Sequence, residues 1–207
     1  MYNLVHKMNK NILSKGKEQV LESFYKNKNR ELYFSEILRI TKLTQNTTLR
    51  HLRSLESNKL IISTKKIANT FYKINNKNSL IFSIFSHFDY KRLNGLPGTR
   101  KRAIIEFIDK IKIKPMIAIV FGSTAKKTFT SESDIDILLI YNKKEMKDNK
   151  LKSDIEATTG SNIQEFIISY DYFKEQILKG EDSVITHAIK TGFVVLGHYY
   201  FYKGILP

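Results

Sequence analysis

The pattern of apolar and polar positions divides the chain into three stretches. In the first, residues 1–79, Val20, Leu21, Phe24 and Tyr25 fall at helical spacing and predict a helix from Glu18 to Lys28. A second short helix is predicted from Ser35 to Ile40, with Ser35 as its N-cap and Ile37, Leu38 and Ile40 facing inward. Thr44 then caps a third helix, which puts Leu49, Leu52 and Leu55 on one face and Gln45, Asn46, Thr47, Thr48, Arg50, His51 and Arg53 on the other. Leu60-Ile61-Ile62-Ser63 and Thr70-Phe71-Tyr72-Lys73-Ile74 predict two strands around the basic pair Lys65-Lys66.

Residues 80–114 predict a helical connector. An apolar helical run from Leu80 to Phe88 is broken by Asn94-Gly95-Leu96-Pro97-Gly98, and Thr99 opens another helix through Ile104, Ile105, Phe107, Ile108 and Ile111. Helix, breaker, helix suggests a hinge. Phe82, Phe85 and Phe88 form a packing or dimer stripe, and Arg100-Lys101-Arg102 is expected to be a solvated charge run. In residues 115–207, Pro115 ends the connector, and Ile117 to Phe121 is apolar at every position, as a central strand requires. Ile135, Ile137, Leu138 and Leu139 mark a second buried strand, and Ile163 to Ser169 a third.

Charge adds a division of labour. Residues 1–79 hold 16 Lys/Arg against 5 Asp/Glu, residues 80–114 hold 8 against 3, and residues 115–207 hold 11 against 12. The net charge of +15 therefore lies in the first 114 residues, where it suits a polyanionic partner. With 42% hydrophobic and 12% aromatic residues the chain has the composition of a folded protein. It has no cysteine, which excludes disulfides and thiolate metal sites. His6, His51, His87, His187 and His198 form no i, i+4 pair, so no zinc site is expected. The opening Met1 to Met8 lacks the apolar core of a signal peptide, and no apolar run is long enough to span a bilayer, so a cytoplasmic protein with no membrane partner is expected.

The stretch from Lys17 to Asn76 resembles the winged helix-turn-helix of small prokaryotic transcription regulators. The resemblance rests on Leu43-Thr44-Gln45-Asn46-Thr47-Thr48-Leu49-Arg50-His51-Leu52-Arg53-Ser54-Leu55-Glu56, followed by Lys59-Leu60-Ile61. It implies that Gln45, Asn46, Thr48 and Arg50 meet double-stranded DNA, with Lys65 in a basic wing. Amides and guanidinium groups read base edges, while Thr and Lys meet phosphates. The wing departs from the pattern in having Ala68-Asn69 where a tip glycine is usual. Dimerisation or protein docking is the alternative use of such a module.

The chemistry-bearing residues lie in Ile117-Ala-Ile-Val-Phe-Gly-Ser-Thr-Ala-Lys-Lys-Thr-Phe-Thr-Ser-Glu-Ser-Asp-Ile-Asp-Ile-Leu-Leu-Ile140. An apolar strand delivers Gly122-Ser123, where a helix starts near Thr124, and amides at such a turn bind an anionic phosphate. Asp134 and Asp136 alternate on the next strand and point from one face, where hard oxygen ligands can hold Mg2+. A metal site beside a phosphate site suggests phosphoryl or nucleotidyl transfer. A two-metal site needs a third partner, for which Glu165 is the candidate as ligand or general base, with Asp154 or Asp171 as alternatives.

Gly122-Ser123 with Asp134-Ile135-Asp136 ten residues on, between apolar strands, resembles the DNA polymerase beta nucleotidyltransferase superfamily. Within it the chain is similar to the minimal nucleotidyltransferases, some of which carry an N-terminal winged helix. The closing Ala188-Ile-Lys-Thr-Gly-Phe-Val-Val-Leu-Gly197 is similar to that group's ending, a helix leading into a glycine-containing strand. The resemblance spans about residues 99–200 and implies an α+β fold: winged helix-turn-helix over 1–79, connector over 80–114, mixed-sheet nucleotidyltransferase fold over 115–207.

It also implies transfer of a nucleoside monophosphate from an NTP, with ATP the expected nucleotide, and loss of pyrophosphate. Asp134, Asp136 and Glu165 would hold two Mg2+ ions. Gly122, Ser123 and Ser133 would bind nucleotide, and Lys126 or Lys127 would neutralise charge. The group usually has glycine where Lys127 stands. The acceptor is a protein, an RNA or a small molecule, and a homodimer would form through the winged helix or the connector. The competing expectation is a DNA-binding regulator whose transferase-like domain only senses nucleotide. Tyr199-Tyr200-Phe201-Tyr202 predicts a terminal aromatic strand and Lys143 to Lys150 a solvated loop.

Overall fold

The computed structural model describes residues 13–28, 30–67, 69–142 and 149–206. Expectations for Met1 to Met8, His6, the wing-tip Ala68 and most of the Lys143–Lys150 loop lie outside the described residues. The chain forms two compact units, one from the described part of Met1–Ile81 with Leu206, the other from that of Phe82–Ile205.

The first unit runs α1 (Lys15–Lys26), β1 (Leu32–Tyr33), α2 (Phe34–Thr41), α3 (Gln45–Ser57), β2 (Ile61–Lys66) and β3 (Asn69–Ile74). Its three strands pair antiparallel in the order β1-β3-β2. Val20, Leu21, Phe24, Ile37, Leu52 and Leu55 are buried to within 1% and form the centre. Ser35 is not the cap of α2. The two-residue strand β1 runs straight into the helix, so Tyr33 takes the N-cap position and its N–H donates to the Glu36 carboxylate at 3.2 Å. Arg30 holds the same carboxylate at 3.0 Å. Thr44 does cap α3, accepting from the Thr47 N–H at 3.3 Å. Lys65 and Lys66 lie within the β2 ladder opposite Thr70 and Asn69, so the basic pair sits on a strand rather than in the turn.

The second unit runs α4 (Leu80–Asn94), α5 (Gly98–Lys110), β4 (Ile117–Val120), α6 (Gly122–Lys126), β5 (Ile135–Tyr141), α7 (Asn149–Thr159), β6 (Ile163–Ser169), α8 (Tyr170–Lys179), α9 (Ser183–Thr191), β7 (Phe193–Leu196) and α10 (His198–Ile205). The sheet order is β6-β5-β4-β7. β5 and β6 are parallel and joined through α7, whereas β4 is antiparallel to β5 and to β7. The inner position of β4 explains why all four of its residues are apolar and buried.

Residues 82–114 are not a separate connector. Ala103, Ile104, Phe107, Ile108 and Ile111 pack in one core with Ala118, Val120, Ile135, Ile137 and Leu139, because the apolar stripe of α5 covers one face of the sheet. The expected hinge is tied down as well: Arg92 donates to the carbonyls of Ala125, Thr191 and Gly192 at 2.7–2.8 Å. Phe82, Phe85 and Phe88 are buried, and Phe85 meets Tyr202 edge-on, so of the two expected uses it is the packing stripe that is seen. Tyr199 to Tyr202 are helical. Gly197, at φ 77 with the Met116 carbonyl 1.9 Å from where its Cβ would stand, reverses the chain after β7 and starts α10 instead of prolonging the strand. Phe201 and Tyr202 are buried there, and the Tyr202 hydroxyl donates to buried Asp89 at 2.6 Å. Among the described residues no helix is long and apolar enough to cross a membrane.

Candidate functional site

The site forms where β4 ends and β5 begins. Antiparallel pairing sets Val120 against Ile137, and the Phe121 N–H donates to the Asp136 carbonyl at 3.0 Å. The next residue therefore passes directly over Asp136. Gly122 has φ 65, and a Cβ on it would stand 1.9 Å from Asp136 Oδ2, so only glycine satisfies both the backbone and the space. α6 starts at this glycine, and the first amides of a helix have no partner within it. Gly122 and Ser123 thus present N–H groups beside a carboxylate.

Asp134 stands one residue before β5 and shares the face of Asp136 through strand alternation. Its Oδ1 accepts from Asn162 Nδ2 at 3.0 Å, which fixes the carboxylate's direction. Burial, and then repulsion from Asp134, push the Asp136 carboxyl above its usual value, while His187 on α9 opposes them. His187 also meets the Phe121 ring edge-on with centroids 6.1 Å apart, and Phe121 packs on Phe166 at 5.3 Å. Two repelling, partly desolvated carboxylates beside unpartnered amides fit one divalent cation with an attached polyphosphate.

Glu165 does not join them. The parallel register pairs Ile137 with Glu165 and Asp136 with Gln164, so Glu165 points into the α5 and α7 side of the sheet. There it is 4% exposed and faces Lys152 at 3.8 Å. The alternatives fail too. Asp154 is solvent-exposed on α7, and Asp171 lies beyond the C-terminal end of β6, opposite the end that holds Asp134, where it pairs with Lys174. Among the described residues, no three His, Cys, Asp or Glu side chains converge as a cation site, so the expected two-metal triad is not formed.

Other expected nucleotide ligands divide. Lys126 is exposed at the end of α6. Lys127 is the left-handed C-cap of that helix at φ 58, with its Nζ over Gly95, which explains why glycine suits the position. The Ser133 hydroxyl accepts from the Thr130 N–H at 2.9 Å and so shapes the turn before Asp134.

Arg100 was expected in a solvated run and is instead 5% exposed. It donates to Thr124 Oγ1 and the Thr130 carbonyl at 2.9 Å, and to the carbonyl of Ser133, joining α6 to the loop that carries Asp134. Its place was legible, because Arg100, Ile104, Phe107 and Ile108 share the buried stripe of one helix. Asn162 and His187 carried no such signal; register and helix packing alone bring them to the site.

Residues 102–190 match the family model described as Polymerase beta, Nucleotidyltransferase. This supports that superfamily for the second unit, and nucleotidyl transfer as its general chemistry. The matched segment contains Gly122, Ser123, Asp134, Asp136, Asn162 and His187. Comparison with curated proteins and with solved structures gives no match.

Two measurements check the geometry. Replacing Lys127 by glycine removes a left-handed L-residue, so Lys127→Gly should stabilise the protein by about 1 kcal/mol and raise the melting temperature by about 3 °C. For Asp136 the sign runs opposite to a salt-bridged acid. With its folded-state value above the usual 3.8, the native state binds the extra proton, and stability rises as the pH falls through that window. At neutral pH the ionised group costs stability. Asp136→Asn should therefore melt higher than wild type at pH 7 without divalent cation, lose that advantage in acid, and show no cation-induced shift.

Proposed function

We propose that the second unit binds a nucleoside triphosphate with a divalent cation, Mg2+ in the cell, and transfers its nucleoside monophosphate to an acceptor. The observation that carries this reading is the approach of Asp136 to Gly122, which sets helix-start amides beside a carboxylate pair within the matched segment. Gly122 and Ser123 hold the terminal phosphates through backbone N–H groups. Asp134 and Asp136 hold the cation, and Asn162 orients Asp134. When bound, the cation supplies charge neutralisation at the phosphates. Lys126 adds positive charge at the far end of α6. An acceptor oxygen bonds to the α-phosphorus as the α–β bridging bond breaks, releasing pyrophosphate and the acceptor's proton. ATP is the nucleotide we expect, and the acceptor is a protein, an RNA or a small molecule.

A second reading, a nucleotide sensor without transfer, is favoured by one observation: Glu165 is turned away and neutral Gln164 faces the site. Incubation of full-length protein with labelled NTPs, Mg2+ and extract separates the two. We expect label on an extract component, and its loss in Asp134→Ala/Asp136→Ala. Nucleotide binding with no Asp-dependent label would leave the sensor reading.

For the first unit we propose a winged helix-turn-helix docking on double-stranded DNA. The order α1-β1-α2-α3-β2-β3 supports this, as do Gln45, Asn46, Arg50 and Arg53, exposed together on α3, and Lys65, exposed on β2. Thr48 leaves the expected contact set: it is fully buried, and its hydroxyl donates to the Thr44 carbonyl at 3.0 Å. His51, on the polar face of the same helix, packs its ring over Gly16, and burial holds its imidazole below the usual value. DNA affinity should fall steeply with salt, and Arg50→Ala should reduce the slope of log K against log salt by about 1. Thr48→Ala should leave DNA affinity unchanged while costing about 1 kcal/mol of stability. Salt-independent or absent binding would point to protein docking.

A further inference from the structure

The geometry points to a one-cation site in which Gln164 stands where a second cation would need a carboxylate. This inference rests on the cation-and-nucleotide reading of Asp134 and Asp136 and adds how many cations that site holds and which residue sets the number.

Register decides it. Asp136 and Gln164 are paired on adjacent parallel strands and share a face. Neighbouring strands lie about 4.8 Å apart, so an acidic side chain at 164 would be within reach of a cation held by Asp136. Every position of β6 and its entry that faces the carboxylates is uncharged. Asn162 donates its amide to Asp134, Gln164 flanks Asp136, and Phe166 packs on Phe121. The acid of this strand, Glu165, is one residue out of phase and faces Lys152 across the sheet. His187 approaches from α9, yet it does not complete a group of three ligands with the two aspartates.

Two divalent ions bound for catalysis sit about 3.5–4 Å apart and repel each other, so they require bridging and flanking negative charge. Asp134 and Asp136 together balance one divalent ion. With an amide at 164, the described residues add no third carboxylate to hold a second. Such a site retains a nucleotide well and gives an acceptor oxygen little help in losing its proton. Gln164, 28 residues after Asp136 in the sequence, becomes its neighbour only through the crossover of α7.

The test counts Mn2+ ions by electron paramagnetic resonance in full-length protein with α,β-methylene ATP, a non-transferable nucleotide. Wild type should bind one ion beyond those free analogue accounts for, and Gln164→Asp or Gln164→Glu should bind two. Position 164 is exposed on an edge strand, so both variants should fold, and two acid lengths allow for reach. Glu165→Gln should leave the count at one. Two ions in wild type, one ion in both acidic variants, or a lost ion in Glu165→Gln would each overturn the inference while the cation-and-nucleotide reading stood. A wild type that binds no ion and behaves like Asp134→Ala/Asp136→Ala would overturn the reading itself.

Discussion

The carboxylate of Asp136 lies where a side chain at position 122 would be, and the organisation of the second unit follows from that contact. β4 must end, reverse and begin a helix while still touching the first residues of β5. A residue with a Cβ would push Asp136 out of the way or force the turn wider. Glycine at φ 65 removes both obstacles and brings α6's first amides over the acid. The arrangement is electrostatically unfinished. Asp136 is partly desolvated and repelled by Asp134, and it becomes comfortable only when positive charge arrives between the carboxylates and the helix start.

Two arginines hold this geometry in place, Arg100 buried and Arg92 half-buried. Arg100 donates to carbonyls and a threonine hydroxyl, and Arg92 donates to three carbonyls. Arg100 stitches the start of α5 to α6 and to the loop before Asp134. Arg92 meets carbonyls near the ends of α6 and α9, where the helix dipole favours a cation. Asn162 then sets Asp134's direction, and Gly197 lets α10 turn back beside Met116. A guanidinium that donates to several carbonyls ties several segments at once, and the charge of Arg100 is also felt by Asp134.

The first unit divides its surface differently. Its third helix keeps Leu52, Leu55 and Thr48 in the interior, and leaves Gln45, Asn46, Arg50 and Arg53 outside. The split follows the turn of the helix and not the polarity of each residue. Thr48 is polar but sits one turn before Leu52, and it meets the cost of burial by bonding its hydroxyl to the Thr44 carbonyl. His51, just before Leu52, is half-covered by α1 in the same way. The basic residues outside this core carry most of the chain's excess positive charge.

By itself the sequence determined what depends on near neighbours in the chain. The strands flanking Gly122-Ser123 and Asp134-Ile135-Asp136 could be read from apolar runs, the cap at Thr44 from its place before a helical stripe, and the glycine requirement at 122 from the turn it opens. It also held the burial of Arg100, in phase with Ile104 and Phe107, though the charge run masked it. Only the tertiary structure decided which acid of β6 faces the site, because that depends on register between strands separated by a whole helix. A shift of one residue exchanges the two faces, and it is Gln164, not Glu165, that lies beside Asp136. The same holds for Asn162, His187 and the helical ending of the chain, each placed by contacts with residues far away in sequence. Periodicity is a property of a segment, whereas a site is a property of how segments meet.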